Sequence, residues 1–226
     1  TFLFGEILEI IKPSPFRREP PCPVAFECGG CSWQQIVEAE QINQKELLLK
    51  ELFKKFLPDL NYDLLPTVTS DKKFEYRNRI QLKHFQDKIG YFKPNSHDIV
   101  PITDCLIAEA PIRSKIAELA QTLKPSIELK KYEIKINQEG KTEYYDIGSH
   151  GEGLAFSQVN NSVNQLLVDE TLKQIKSLIP TDFSGLMTEL YAGAGNFTFA
   201  LAQAFTKMKI EAVELNHRLT AAAVEI

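Results

Sequence analysis

Four cysteines constrain this chain more tightly than any other feature. Three fall within ten residues, Cys22-Pro-Val-Ala-Phe-Glu-Cys28-Gly-Gly-Cys31, spaced C-x5-C-x2-C, and the fourth, Cys105, lies far downstream. A fold that uses all four in one place must carry the intervening segment out and back. In a reducing compartment such cysteines point to metal or redox chemistry before disulfides. Structural zinc favours two ligand pairs, often C-x2-C twice; here there is one pair, one near neighbour and one remote residue. Three thiolates from a short loop with a distant fourth suit a [4Fe–4S] cube, whose four irons each take one cysteine. Gly29 and Gly30 would let the backbone bend around it. On the residues alone, iron–sulfur, zinc and unliganded thiols all stay open.

The net charge of −4 argues against a purely electrostatic nucleic-acid binder. Locally the balance reverses. Between Asp71 and Lys93, seven basic residues (Lys72, Lys73, Arg77, Arg79, Lys83, Lys88, Lys93) face three acids (Asp71, Glu75, Asp87). Such a run is either the solvated face of a sheet or a docking face for an anion. No apolar run approaches the roughly 18–20 residues of a membrane span. The opening Thr1-Phe-Leu-Phe-Gly-Glu lacks the basic and long apolar regions of a secretory leader. The expectation is a cytoplasmic monomer without membrane contact. The missing initiator Met suggests a chain processed or cut from something longer.

Taken in order, residues 3–11 (Leu-Phe-Gly-Glu-Ile-Leu-Glu-Ile-Ile) are β-branched and partly alternating, which predicts one strand or the last strand of a small barrel. Lys12 to Pro21 holds four prolines and predicts a linker. A helical period runs from Trp33 to Phe56 and stops at Pro58. Trp33 either shields the cysteine loop or packs as ordinary core. Alternation over Tyr76–His84 predicts a half-buried strand, paired with Lys88–Phe92 across the turn at 85–87, with a short strand at Ile99–Ile102. A helix is expected from Ile107 to Leu123, just after Cys105, then a hairpin of Tyr132–Asn137 and Thr142–Ile147. Residues 61–156 thus predict an α+β domain, an antiparallel sheet backed by helix.

After a helix over Ser162–Leu178, the pattern changes. Leu186–Leu190 is a short buried strand, Tyr191–Asn196 a turn of small residues, Phe197–Phe205 an apolar helix, Ile210–Glu214 the next strand, and another helix starts near Arg218. This is the opening βαβ of a doubly wound parallel sheet. Such a sheet needs further strands, so the chain is expected to lack a C-terminal portion. Gly193-Ala-Gly195 follows the first strand and opens the helix, where bare backbone N–H groups meet a ligand. A lone G-x-G is weak, and Thr198 stands where a dinucleotide fingerprint has its third glycine. Glu214 ends the next strand, placed to accept the two hydroxyls of a ribose. Glu189 with Tyr191 suits S-adenosylmethionine better than NAD. Glycines with a purely structural role remain the alternative.

Together, C-x5-C-G-G-C, Tyr76-Arg-Asn-Arg79, Cys105, Phe156-Ser-Gln158-x-Asn160 and Leu190-Tyr-x-Gly-x-Gly-Asn-Phe197 occur in an order that resembles the RNA uracil-5-methyltransferase family, in its iron–sulfur members acting on large-subunit ribosomal RNA. The resemblance covers almost the whole chain. It implies that Cys22, Cys28, Cys31 and Cys105 are ligands of a [4Fe–4S] cluster that clamps the structure. It implies that Gln158, Tyr191, Asn196 and Glu214 contact S-adenosyl-L-methionine, beside Gly193 and Gly195 of the turn. The layout it implies is the end of a TRAM-like barrel and linker (1–21), the iron–sulfur cysteine loop and helix (22–60), a central α+β RNA-binding domain (61–156), and an incomplete Rossmann-like methyltransferase domain (157–226). The overall class is α/β plus α+β.

The family reaction adds a cysteine thiolate to uracil C6, so that C5 takes the methyl of the sulfonium; a carboxylate then removes the C5 proton. In the family both groups lie in the later half of the methyltransferase domain, beyond Ile226, so no catalytic residue is assigned in this chain. The implied substrate is a single-stranded or flipped uridine, since both faces of the ring must be reached. Two alternatives stand beside this: a non-catalytic, metal-stabilised RNA-binding module, and transfer RNA as the substrate.

Overall fold

The computed structural model describes residue 5 and residues 7–137, 139–148, 157–217 and 219–220. In chain order the elements are α1 (Glu38–Phe56), β1 (Arg79–Gln86), β2 (Lys88–Phe92), β3 (Ile99–Pro101), α2 (Ala110–Thr122), β4 (Ser126–Ile136), β5 (Thr142–Asp146), α3 (Asn161–Leu178), β6 (Leu186–Leu190), α4 (Thr198–Ala204) and β7 (Lys209–Val213). They fall into two compact units, Thr1–Thr67 with Tyr91–Pro101, and Val68–Gly90 with Ile102–Ile226.

In the first unit the expected strand at 3–11 does not form over its described part. Residues 7–11 have no regular structure, and Ile7, Leu8 and Ile11 are exposed. A lone strand has no ladder to satisfy its backbone. Leu3, Phe4 and Glu6 lie outside the described residues. The proline-rich stretch is pinned rather than loose. Arg17 forms an antiparallel bridge with Ile36, while Arg18 donates to the Gln34 carbonyl at 2.9 Å and pairs with Glu38 at 2.8 Å. These contacts explain why α1 starts at Glu38 and not at the predicted Trp33: residues 34–36 serve the linker instead. Gln41 closes the helix start by donating its side-chain amide to the carbonyls of Trp33 and Ile36.

The second unit is built on β1 and β4. They pair antiparallel with Ile80 opposite Ile134 and Leu82 opposite Tyr132, and all four side chains are buried. Within this unit β1 lies between β4 and the start of β2, and β4 lies between β1 and β5. Helix α2 packs on β4 and β5, burying Ile112, Ile116 and Leu119 on one face at i, i+4 and i+7. Each such burial contributes roughly 1.5–3 kcal/mol. The antiparallel sheet with a backing helix agrees with the sequence pattern. Two details differ. β4 begins at Ser126, six residues before the predicted Tyr132, because its early part pairs with the end of β1, as Lys130 opposite His84 and Ser126 opposite Gln86. β1 begins at Arg79 and not Tyr76, because Tyr76 and Arg77 donate to the Ile107 carbonyl and Asn78 to that of Val159.

Farther along the same unit, β6 and β7 pair in parallel, Leu186 with Lys209 through Leu190 with Val213, and α4 lies between them in the chain. Leu201, Phe205 and Met208 form a small core against Leu172, Ile175, Ile179 and Phe183. β6 was expected to be buried. It is half open, with Leu186 54% and Leu190 65% exposed, since a two-stranded sheet covers only part of each strand. The helix expected near Arg218 falls partly outside the described residues.

Candidate functional site

The turn after β6 is shaped by backbone geometry. Tyr191, Gly193 and Gly195 all have positive φ, at 59°, 61° and 86°. For Tyr191 that conformation is strained, of order 1–3 kcal/mol. The Ala192 N–H bonds the Val213 carbonyl at 3.1 Å, and the Gly195 N–H bonds the Ala192 carbonyl at 3.0 Å. The two glycines differ in what surrounds them. A Cβ at Gly195 would lie 2.4 Å from the Phe199 ring, so this glycine is required for packing of turn on helix. A Cβ at Gly193 would meet nothing within 4 Å. The space beside Gly193 is open, as a backbone meant for close approach by a ligand requires.

Glu214, just past β7, reaches back to this turn. One carboxylate oxygen accepts the Gly193 N–H at 2.9 Å and the other accepts the Asn216 N–H at 2.7 Å. The backbone donors, Asn216 first and Gly193 second, hold its carboxyl below the usual carboxylate range. The sequence placed Glu214 at the end of the strand; the structure places it one residue beyond, directly against the glycine turn. Glu189 and Thr198 form a second link, the threonine hydroxyl donating to the Glu189 carboxylate at 2.6 Å. Thr198, which breaks the dinucleotide fingerprint, therefore fastens the start of α4 to β6.

Tyr191 is 92% exposed at the mouth of the turn. Asn196 is tied to α3 by a reciprocal amide pair with Asn164, at 2.8 and 2.9 Å. Gln158 is exposed and its carbonyl accepts from the Asn78 side chain at 3.2 Å. Phe156, of the same motif, lies outside the described residues. The structure thus brings Gly193, Gly195, Asn196 and Glu214 to one turn. Asn164 was missed by sequence reading, and Thr198 was read only as a break in the dinucleotide fingerprint, not as a partner of Glu189. Their only signal was position on the first turns of two helices, which many polar residues share.

The cysteines are a different matter. None of the four is disulfide-bonded. Among the described residues no group of three or more His, Cys, Asp or Glu is arranged to hold a metal ion. Cys22, Cys28 and Cys31 belong to the first unit and Cys105 to the second, and all four are half-buried. Within the loop, polar groups find local partners. The Cys28 N–H bonds the Val24 carbonyl at 2.8 Å, the Cys22 N–H bonds the Gln34 side chain at 3.2 Å, and the Cys28 sulfur accepts the Gly30 N–H at 3.4 Å. In the second unit Cys105 is held by its backbone: its N–H donates to Asp104 at 2.7 Å. Arg113 grips that carboxylate with two hydrogen bonds of 2.7 Å and also pairs with Glu75. This charge-assisted fork holds the Asp104 carboxyl below its usual range.

The basic run is partly neutralised in place. Arg79 donates to the fully buried Glu133 at 3.0 Å, and Gln81 to the same oxygen at 2.8 Å. Lys83 stands directly opposite Lys131 across the β1–β4 ladder. Burial, and then Lys131, lower the Lys83 pKa.

No family model matches the chain. It is 42% identical over 226 residues to an uncharacterized RNA methyltransferase of Bdellovibrio bacteriovorus, covering 97% of this chain and 55% of that protein. It is 30% identical over 221 residues to an uncharacterized RNA methyltransferase of Streptococcus mutans, covering 93% and 45%. A Clostridium tetani protein of the same description is 31% identical over 143 residues, covering 62% and 30%. The chain spans about half the length of the relatives that match it along most of its own length.

Proposed function

We propose that this chain is part of an RNA methyltransferase and holds the adenosine portion of S-adenosylmethionine at the turn 191–196. The observation that carries the proposal is the Glu214 carboxylate closed onto the Gly193 N–H beside the open space at Gly193. The strand–helix–strand run from Leu186 to Val213 is read as the opening unit of a doubly wound sheet. Ligands in such sheets bind at the carboxyl ends of the strands, where this turn lies. The relatives' printed description supports the same reading.

When bound, the cofactor supplies an electrophilic sulfonium methyl. The chain's own residues orient it. Glu214, kept ionised, has lone pairs left for ribose hydroxyls. The Gly193 position admits close approach, and the Tyr191 ring is exposed for stacking. The finer assignment, transfer to uridine C5 in large-subunit ribosomal RNA, rests on the sequence resemblance, and so does use of the basic β1 region to hold RNA.

The test is titration calorimetry of the chain with S-adenosylhomocysteine and, separately, with NAD. Binding of the first, weakened at least about tenfold by Glu214→Gln, supports the reading, the loss being that of a charged hydrogen bond. Binding of NAD alone sinks it. For the substrate, a polypeptide of the relatives' full length is incubated with ribosomal RNA and methyl-labelled cofactor. Label in 5-methyluridine supports the finer assignment; label on ribose or cytidine overturns it.

A further inference from the structure

The first turn of α3 touches both the antiparallel sheet and the glycine turn. Asn160 caps the helix, its side chain accepting the Val163 N–H at 3.1 Å. Asn161 accepts the Asn78 amide at 2.6 Å, and the Asn78 N–H bonds the Val159 carbonyl at 2.9 Å, fixing the helix start to the segment that leads into β1. One turn on, Asn164 faces Asn196 in the reciprocal pair, each amide giving one N–H and accepting at its oxygen. An amide has two donors and two acceptor sites. The pair uses one of each, so Asn196 keeps one N–H and one lone pair for a ligand while its plane is held fixed.

We infer that Asn164 is a positioning residue for the cofactor turn: anchored through α3 to the sheet, it sets the orientation in which the Asn196 amide meets the bound nucleoside cofactor. The inference rests on the cofactor reading proposed above. Asn164 does not touch the ligand. It acts by removing the rotational freedom of the Asn196 side chain, an ordering cost otherwise met at binding.

A double-mutant cycle tests this, with S-adenosylhomocysteine affinity as the readout and the chain as it stands. Asn164→Leu keeps the side chain's heavy-atom count and branching and removes the pair. It is expected to weaken binding roughly two- to tenfold, the range for one or two neutral hydrogen bonds. In the Asn196→Leu background the same substitution is expected to change affinity by less than about 1.5-fold. In amide NMR spectra the Asn196 side-chain NH2 signals should shift toward those of a solvent-exposed, unrestrained asparagine side chain in Asn164→Leu, while the Gly193 backbone signal stays in place. An equal loss in both backgrounds, or unmoved Asn196 signals, overturns the inference and leaves the cofactor reading intact. No binding by the unsubstituted chain overturns both. If Asn164→Leu does not fold, Asn164→Ser carries the same cycle.

Discussion

The Glu214 carboxylate accepts the Gly193 N–H at 2.9 Å, joining two residues 21 positions apart. The bond closes the end of β7 onto the turn after β6. It also sets the charge of the turn, because the acid is held below its ordinary range by the Asn216 and Gly193 donors. A carboxyl with a depressed folded pKa contributes stability above its unfolded value, near 4.5, and loses it as pH falls through the folded value. Cofactor affinity is therefore expected to be flat from pH 8 to about 5 and to fall only below that, as checked by calorimetry across the range. Glu214→Gln should lower affinity at every pH.

The two glycines of the turn should separate folding from binding. Gly195→Ala places a methyl against Phe199 at a positive φ. It is expected to cost about 2 kcal/mol or more of stability in urea unfolding. Gly193→Ala meets open space and bears only the conformational cost, about 1 kcal/mol. Its larger effect is expected in ligand affinity, because the methyl occupies the space that the ligand would take. A reversed ranking would remove the argument that Gly193 borders the site.

Glu133 is fully buried and bonds Arg79 and Gln81 through one oxygen, while its other oxygen has no hydrogen-bond partner. Glu133→Ala leaves a half-buried guanidinium without this counter-charge and is expected to destabilise by about 3 kcal/mol. Joint replacement, Arg79→Met with Glu133→Leu, should recover most of that loss in the same unfolding assay. If the double variant is as unstable as the single one, the sheet depends on the pair for more than charge balance.

His84 is 2% exposed on the α2 face of β1, and its Nδ1 has no partner. Burial lowers its pKa below 6.5, with Lys130 adding to the effect and the Gln86 backbone and Asp146 opposing it. As pH falls below 6.5 the unfolded chain takes up a proton that the folded chain resists. Stability should therefore decline from pH 7.5 to pH 5. Chemical denaturation at several pH values reads this slope, and His84→Phe is expected to flatten it.

Much of the architecture was legible because it rests on local pattern. The two-residue alternation of Ile80 and Leu82 and the helical period of Ile112, Ile116 and Leu119 mark which faces are buried, whatever else the chain does. Glycines before a helix, and an acid ending the next strand, likewise placed the turn 191–196 and Glu214. The errors came where distant partners compete. Arg17 and Ile36 pair across the linker and shorten α1, and the Val159 and Ile107 carbonyls draw Tyr76 to Asn78 out of β1.

The sequence by itself determined the element types from α1 to β7, the parallel β6–β7 unit and the small-residue turn, since these follow from periodicity and side-chain size. Only the tertiary structure decided which polar atoms meet: Glu214 with Gly193, Thr198 with Glu189, Asn164 with Asn196. Hydrogen bonds form over about 3 Å, and one-dimensional spacing cannot encode which of many similar donors will come that close. The same reason governs the cysteines. Their spacing suggests a shared metal, but convergence of thiols is a three-dimensional property that spacing along the chain does not encode.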